Sequence, residues 1–350
     1  MKSRLLAASF LVSCICPAVA QGDTVELTNG TKLAGIKVVS FDVRQLRYSK
    51  GGGNESVATD QIQRVELGKF RDVYARGLRD PDMMLTLARE KVAEKDLLMA
   101  QFGFVGAAAQ FFDGDKASAA VGALDELQKS CPEAGVLPEV FRQKFEYYMG
   151  FGGKKASDAA AVAKKYKDEA IGGAWPSGLG VEAEFFQVLA ERGSAKNPKE
   201  FQGRLQAVVA AAGGTNPTVQ NRANIQLANS LREEKDVEGA RKVYDDLSTR
   251  DGVDASSRAG AFLGLGQILL DEATPEKKDL AKQSLLLFLR VRLETKDAWP
   301  SLQAEALYHA ILAANKWRGP EYQLIMGRCR GVLMADFPES EWTKRAKQGT

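Results

Sequence analysis

Residues 221–254 read NRANIQLANSLREEKDVEGARKVYDDLSTRDGVD, and this stretch decides the fold class. Leu227, Ala228 and Leu231 recur at helical spacing, and the pattern returns at Ala240, Tyr244 and Leu247 before a turn at Gly252. Two consecutive helices carry such a pattern. A strand, whose side chains alternate with a period of two, does not.

The same spacing spreads in both directions. Residues 101–134 place Phe104, Ala107, Ala108 and Phe111 on a first helix, Ala120, Leu124 and Leu127 on a second, and Pro132 at the turn. A third copy runs through Phe262, Leu265, Gly266 and Leu269, then Ala281, Leu285 and Phe288, with extra residues in the helix–helix turn around Thr274-Pro275-Glu276. Weaker pairs fit 69–94, 137–170, 182–213 and 301–335, so roughly seven pairs are expected. The spacing resembles the tetratricopeptide repeat of about 34 residues. The end of the chain, Ala335-Asp336-Phe337-Pro338-Glu339-Ser340-Glu341-Trp342, resembles the repeat ends of secreted bacterial members of that family. Residues 221–254 depart from it at Asn224, where the family has an aromatic, and at Gly252, where it has proline. These departures bear on the repeat subtype and leave the helix pair intact.

The pattern has a physical cause. Small residues on facing helices allow close approach, and aromatics fill the gap to the next pair. One pair buries too little to stand alone, so pairs stack into a solenoid. The resemblance implies a groove lined by first helices that holds a protein or peptide. Carried onto the best-matched repeat, its groove positions fall on Arg222, Asn229, Arg232 and Glu233, with an ordinary solvated helix face as the other reading. An irregular helical bundle is the alternative to a stacked array.

Residues 21–67 differ in character. Thr24-Val25-Glu26-Leu27 alternates, Asn29-Gly30 signals a type I′ hairpin, and Lys32 to Phe41 is a longer strand with Gly35 available for a bend. Gln45 to Tyr48 and Ser56 to Thr59 flank Gly51-Gly52-Gly53-Asn54, and Arg64 to Leu67 supplies a last strand that can close the sheet. Five short strands, with a single helical turn before the fifth, resemble the small barrels of the SH3-like and Sm-like type. The expected architecture is therefore mainly α: a TPR-like helical solenoid over 68–350, preceded by a small five-stranded β-barrel over 21–67. Only Phe41 and Tyr48 are available there for an aromatic peptide-binding groove, which favours a structural or docking module.

Residues 1–20 begin with Lys2 and Arg4, continue in an apolar stretch from Leu5 to Val19 and end in Ala18-Val19-Ala20, the pattern of a secretory signal peptide. Leu11-Val12-Ser13-Cys14 also resembles the lipobox of bacterial lipoproteins, so acylation at Cys14 competes with cleavage after Ala20. A periplasmic, extracellular or envelope location is expected, with a membrane as partner only if Cys14 is lipidated. Cys131 and Cys329 then remain, and their wide separation suits single buried thiols better than a disulfide.

The net charge of +3 is small, and runs such as Lys164-Lys165 and Lys277-Lys278 stand beside Asp168, Glu276 and Asp279. A surface that tracks phosphates needs clustered, uncompensated cations, so a nucleic-acid partner is not expected. Histidine occurs once, as His309 in the apolar run Ala306-Leu307-Tyr308-His309-Ala310 with no motif partner beside it. Two distant cysteines and one histidine cannot form a zinc tetrad, and no acidic loop has calcium-binding spacing, so no metal or cofactor is expected. Gly150-Phe151-Gly152-Gly153-Lys154 lacks P-loop spacing, and Gly264-Leu265-Gly266 lies within a helix where glycine permits close packing. Adjacent carboxylates such as Glu233-Glu234 and Asp245-Asp246 point apart on a helix.

The expected function is a non-enzymatic exported scaffold or adaptor for a protein or peptide. A cell-wall-associated or envelope-assembly lipoprotein is one alternative, and a hydrolase whose site follows no known motif is another.

Overall fold

The structure, a computed structural model, describes residues 22–113, 116–151, 156–192, 197–338 and 340–349. The expected leader over 1–20 with Cys14, and Gly152-Gly153-Lys154, lie outside the described residues. The chain forms two compact units. One takes the described residues of Leu6–Tyr147 and Ala161–Ala183, the other those of Tyr148–Ala160 and Glu184–Thr350.

The first unit starts with an antiparallel sheet of β1 (Asp23–Leu27), β2 (Lys32–Phe41), β3 (Gln45–Lys50), β4 (Gly53–Ala58) and β5 (Ile62–Glu66), in the order β4-β3-β2-β1-β5. The long β2 serves both halves: its first part pairs with β1, and from Lys37 onward it pairs with β3. The expected closure into a barrel does not occur, because β4 and β5 are the two edges of an open sheet. The single 3-10 turn Thr59–Gln61 explains this. Thr59 N donates to Arg44 O at 3.1 Å and Thr28 N to Gln61 O at 2.9 Å, which ties the turn to the β1–β2 and β2–β3 connections. β5 is thereby delivered to β1 and kept from β4.

The Asn29-Gly30 hairpin also differs from its expected type. Gly30 has φ of 81° and Asn29 is not in the left-handed region, while Gly30 N donates to Leu27 O and Leu27 N to Thr31 O, both at 2.9 Å. This is a three-residue loop, a turn followed by one left-handed glycine. The two-residue connection with both central residues left-handed is Gly51-Gly52, at φ of 57° and 88°, closed by the pair Lys50–Gly53.

After the sheet come α1 (Phe70–Val73), α2 (Pro81–Ala93), α3 (Leu97–Asp113), α4 (Ala117–Ser130) and α5 (Leu137–Glu146). One apolar core runs continuously from Val25 in β1 to Val140 in α5, so sheet and helices are stabilised together. Buried Gln101 on α3 fastens them: its Nε2 donates to Phe41 O at 3.1 Å and its Oε1 accepts from Val136 N at 3.3 Å. Phe41 and Tyr48 are both buried and do not line an open groove. The pair expected over 69–94 is incomplete, since α1 has a single turn before the chain folds back at Gly77, which lies against Met84. A π-helical turn, Tyr147–Phe151, follows α5, and then α6 (Ala156–Gly172) and α7 (Ser177–Ala190).

The remaining helices are α8 (Pro198–Ala212), α9 (Pro217–Glu233), α10 (Val237–Thr249), α11 (Ala255–Glu272), α12 (Lys278–Glu294), α13 (Pro300–Trp317), α14 (Tyr322–Asp336) and α15 (Glu341–Gln348). The three best-matched pairs are α3/α4, α9/α10 and α11/α12, and the extra residues of the last lie in the α11–α12 turn as expected. Each helix in α8–α14 packs on the next, and α11 also touches α9 and α13 directly. First helices of successive pairs thus abut.

Close approach rests on glycine. A Cβ on Gly264 would fall inside the Tyr244 ring, and one on Gly266 inside that of Phe288. The pattern residues Ala228, Ala240, Tyr244, Leu247, Phe262, Ala281 and Phe288 are all fully or almost fully buried. By burial at roughly 25 cal/mol per Å², aromatics of this size dominate the stability of each interface. Cys131 and Cys329 are buried free thiols.

The α2–α3 and α9–α10 connections share one design. Both read Glu-Lys-Asp, at 94–96 and 234–236. Lys95 and Lys235 take φ of 61° and 72°, and Asp96 N and Asp236 N donate to Lys91 O and Leu231 O at 2.9 Å. This is a Schellman closure with lysine in the left-handed position. Each aspartate then begins the next helix, accepting from Met99 N at 3.1 Å and from Gly239 N at 3.0 Å.

Candidate functional site

Four residues of α9 are expected to face a partner, and the structure disperses them. Arg222 is half-buried near the start of the helix, its guanidinium 4.5 Å over the Trp299 ring and its Nε 3.5 Å from Asp254 Oδ1. Glu233 accepts from Arg192 Nη2 at 2.5 and 2.6 Å. Its neighbour Glu234 accepts from Gln202 Nε2 at 2.9 Å instead, so the adjacent carboxylates do diverge.

Asn229 and Arg232 belong together. They lie one turn apart, close to the buried Tyr244, which donates to Asn229 Oδ1 at 2.6 Å. Burial pushes the Tyr244 phenol up to about 12, partly offset by the Arg232 charge. Arg232 Nη1 is 3.8 Å from Asp271 Oδ2 on α11, and its buried Nε has no hydrogen-bond partner among the described residues.

The polar row continues across α11 onto α13. Gln267 Nε2 on α11 donates to Glu305 Oε1 at 3.0 Å and lies 3.1 Å from His309 Nε2. Glu305 and His309 are one turn apart on α13, with 3.8 Å between Oε1 and Nε2. Burial raises the Glu305 carboxyl to about 7, against the opposing effects of the Gln267 hydrogen bond and the Arg232 and Arg345 charges. Burial also lowers the His309 imidazole to about 4, and the same two arginines add to that shift. His309 is therefore neutral at neutral pH. Its Nε2 faces an amide donor, which puts the ring proton on Nδ1, where no partner is found among the described residues.

Aromatic rings complete the face. His309 is stacked on Phe288 at 5.4 Å and lies 5.5 Å from Trp342, and Tyr308 is 5.3 Å from Trp342. The Arg345 guanidinium sits 4.7 Å over Trp342 and donates to Glu341 Oε1 at 2.8 Å. The arrangement can accept and donate hydrogen bonds, stack a planar or cationic group and change its charge near neutrality.

His309 is expected to lack a motif partner, and the structure places Glu305 one helical turn before it, sharing the Gln267 amide. That i, i+4 spacing on one helix face was the available signal. Gln267, Tyr308 and Trp342 carried none.

The first unit holds a second polar cluster of a different kind. Arg142 Nε and Nη2 donate to the Glu182 oxygens at 2.8 and 2.7 Å, Arg142 Nη1 to Glu139 Oε2 at 3.2 Å, and the Tyr166 hydroxyl to Glu182 Oε2 at 2.8 Å. Tyr166 is stacked on Phe141 at 4.8 Å with the rings nearly parallel. Burial together with the Glu182 charge raises the tyrosine pKa strongly. Here both carboxylates are engaged by one guanidinium, the geometry of a structural clamp.

Among the described residues, no group of three or more His, Cys, Asp and Glu side chains converges as metal ligands would, and no helix is long and apolar enough to cross a membrane. Searches of the chain against protein-family models and against curated proteins return no match.

Proposed function

We propose that the chain is an exported, non-enzymatic scaffold whose TPR-like helix pairs hold a protein or peptide along the face of α9, α11 and α13. The observation that carries this reading is the direct contact of those first helices, which presents Asn229, Arg232, Gln267, Glu305 and His309 as one row across three elements. These side chains are half-buried, so each is held in place by the array while part of its polar surface stays open to a partner. Stacked repeats also offer an extended surface wider than any single helix pair. Of the four α9 candidates, Asn229 and Arg232 fit this role. Arg222 and Glu233, each held by its own ion pair, support the surrounding packing.

The test is capture of exported proteins by the immobilised full chain and by its Arg232→Glu variant. A partner retained by the first and lost by the second is expected, and identical partner sets would remove this face from consideration.

A second reading rests on Leu11-Val12-Ser13-Cys14: an envelope protein tethered by an acylated Cys14. The mass of the mature N-terminus separates the two, since a chain starting at Gln21 has no lipid and one starting at acylated Cys14 is anchored.

A further inference from the structure

Glu305 stands apart from the other carboxylates on its face. Asp271 has Arg232 and Glu341 has Arg345 as ion-pair partners, whereas the side chains closest to Glu305 are the Gln267 amide and the His309 imidazole, and the Arg232 and Arg345 charges act on it from farther away. A carboxyl only a quarter exposed is normally paired with a cation, because desolvating the charge without compensation is costly. Beside it lie the rings of Tyr308, His309 and Trp342, and a ring face attracts a cation within about 6 Å of its centroid. The chain already shows this preference, for Arg345 places its half-exposed guanidinium over Trp342.

We propose that Glu305, Tyr308 and Trp342 form a site for a lysine or arginine side chain of the bound partner. This rests on the reading of the α9–α11–α13 face as the binding surface. The incoming cation takes the place of Arg345 over Trp342 and pairs with the ionised Glu305, while Gln267 holds the carboxylate in position. Arg345, itself half-exposed and held by Glu341 and the Trp342 ring, acts as an internal competitor.

The groups that act on Glu305 are Arg232 on α9, Tyr244 on α10, Gln267 on α11, His309 on α13 and Arg345 on α15, and the two arginines are themselves paired with Asp271 and Glu341. His309 and Tyr244 stay neutral between pH 6 and 8, since their values lie at about 4 and about 12. Glu305, at about 7, is the group that changes charge in that window, so cation binding strengthens as pH rises through it.

The experiment titrates fluorescein-labelled tetra-arginine, tetralysine and tetraglutamate peptides against the full chain at fixed ionic strength, reading anisotropy at pH 6 and pH 8. The cationic peptides are expected to bind better at pH 8, by about ten-fold or somewhat less, and tetraglutamate is not expected to gain. Glu305→Gln should weaken cationic binding about ten-fold or more and abolish its pH dependence. Arg345→Gln should tighten it several-fold, a gain that a misfolded variant cannot give. Equal binding of tetraglutamate, or a Glu305→Gln variant with wild-type affinity and pH response, overturns the site. If exported proteins are still captured by Glu305→Gln as by the wild type, the cation site fails while the face stands. If capture survives Arg232→Glu, it is the face itself that fails.

Discussion

Glu305 and His309 approach to 3.8 Å on α13, and the same burial displaces them in opposite senses, the acid up to about 7 and the imidazole down to about 4. Each is pushed toward its neutral form.

Their contributions to stability therefore oppose each other. For Glu305 the folded state binds the extra proton between the ordinary value of 4.5 and about 7, so its contribution is greatest below 4.5 and is lost as pH rises to 7. For His309 the unfolded state binds the extra proton between about 4 and 6.5, so its contribution is lost as pH falls through that range. Each change amounts to roughly 3 kcal/mol across its window, and the two slopes cancel where the windows overlap. Glu305→Gln should unmask a rise in stability from pH 4 to 6.5, and His309→Gln a fall from pH 4.5 to 7. Denaturant titrations across pH measure both, and parallel curves for wild type and variants would show that the groups are not displaced as described.

Two glycines on helices of one unit should respond to alanine with opposite signs. At Gly264 a new methyl collides with the Tyr244 ring, whereas at Gly327 on α14 it meets open space. Alanine gains roughly 1 kcal/mol of helix propensity at either position, but overpacking costs about 1–3 kcal/mol and predominates only at Gly264. Gly327→Ala should raise the melting temperature and Gly264→Ala lower it. A gain at Gly264 would mean that α10 and α11 are not in close contact there.

The left-handed lysines give a third test. A side chain at φ of 72° is strained, and Lys235→Gly relieves this without touching the Schellman hydrogen bonds. The expected gain is about 1 kcal/mol in chemical denaturation, and Lys95→Gly should repeat it in the other unit. Lys235→Ala keeps the Cβ and should give little. Equal responses to glycine and alanine would argue against strain at that backbone.

What the sequence reveals divides by distance along the chain. Helical register is local, so the pattern Phe104, Ala107, Ala108 and Phe111 identifies the buried side of α3 directly. The five strands and the single turn before β5 were legible for the same reason. Closure of the sheet was not, because it depends on hydrogen bonds such as Thr28 N to Gln61 O, between residues far apart in sequence. The single-turn α1 was hidden as well, since apolar residues at 70, 73 and 74 fit a helix whose length only the packing of Gly77 on Met84 limits. In the candidate site, Asn229 and Arg232 could be placed by helical phase. Gln267 could not, because it reaches Glu305 across a separation of 38 residues that folding alone brings together.

The Glu-Lys-Asp connection also constrains how the chain can change. With one residue in the left-handed position and the next already starting the following helix, no slack remains between α9 and α10 or between α2 and α3. Adding or removing a single residue there would turn the second helix by about 100°, carrying Tyr244 away from Gly264. The α11–α12 turn, which holds Ala273 to Lys277, has residues that can absorb a change of length while Phe288 stays on Gly266. Length variation tolerated by this protein should accordingly collect at loops of the second kind, leaving the Glu-Lys-Asp turns at constant length.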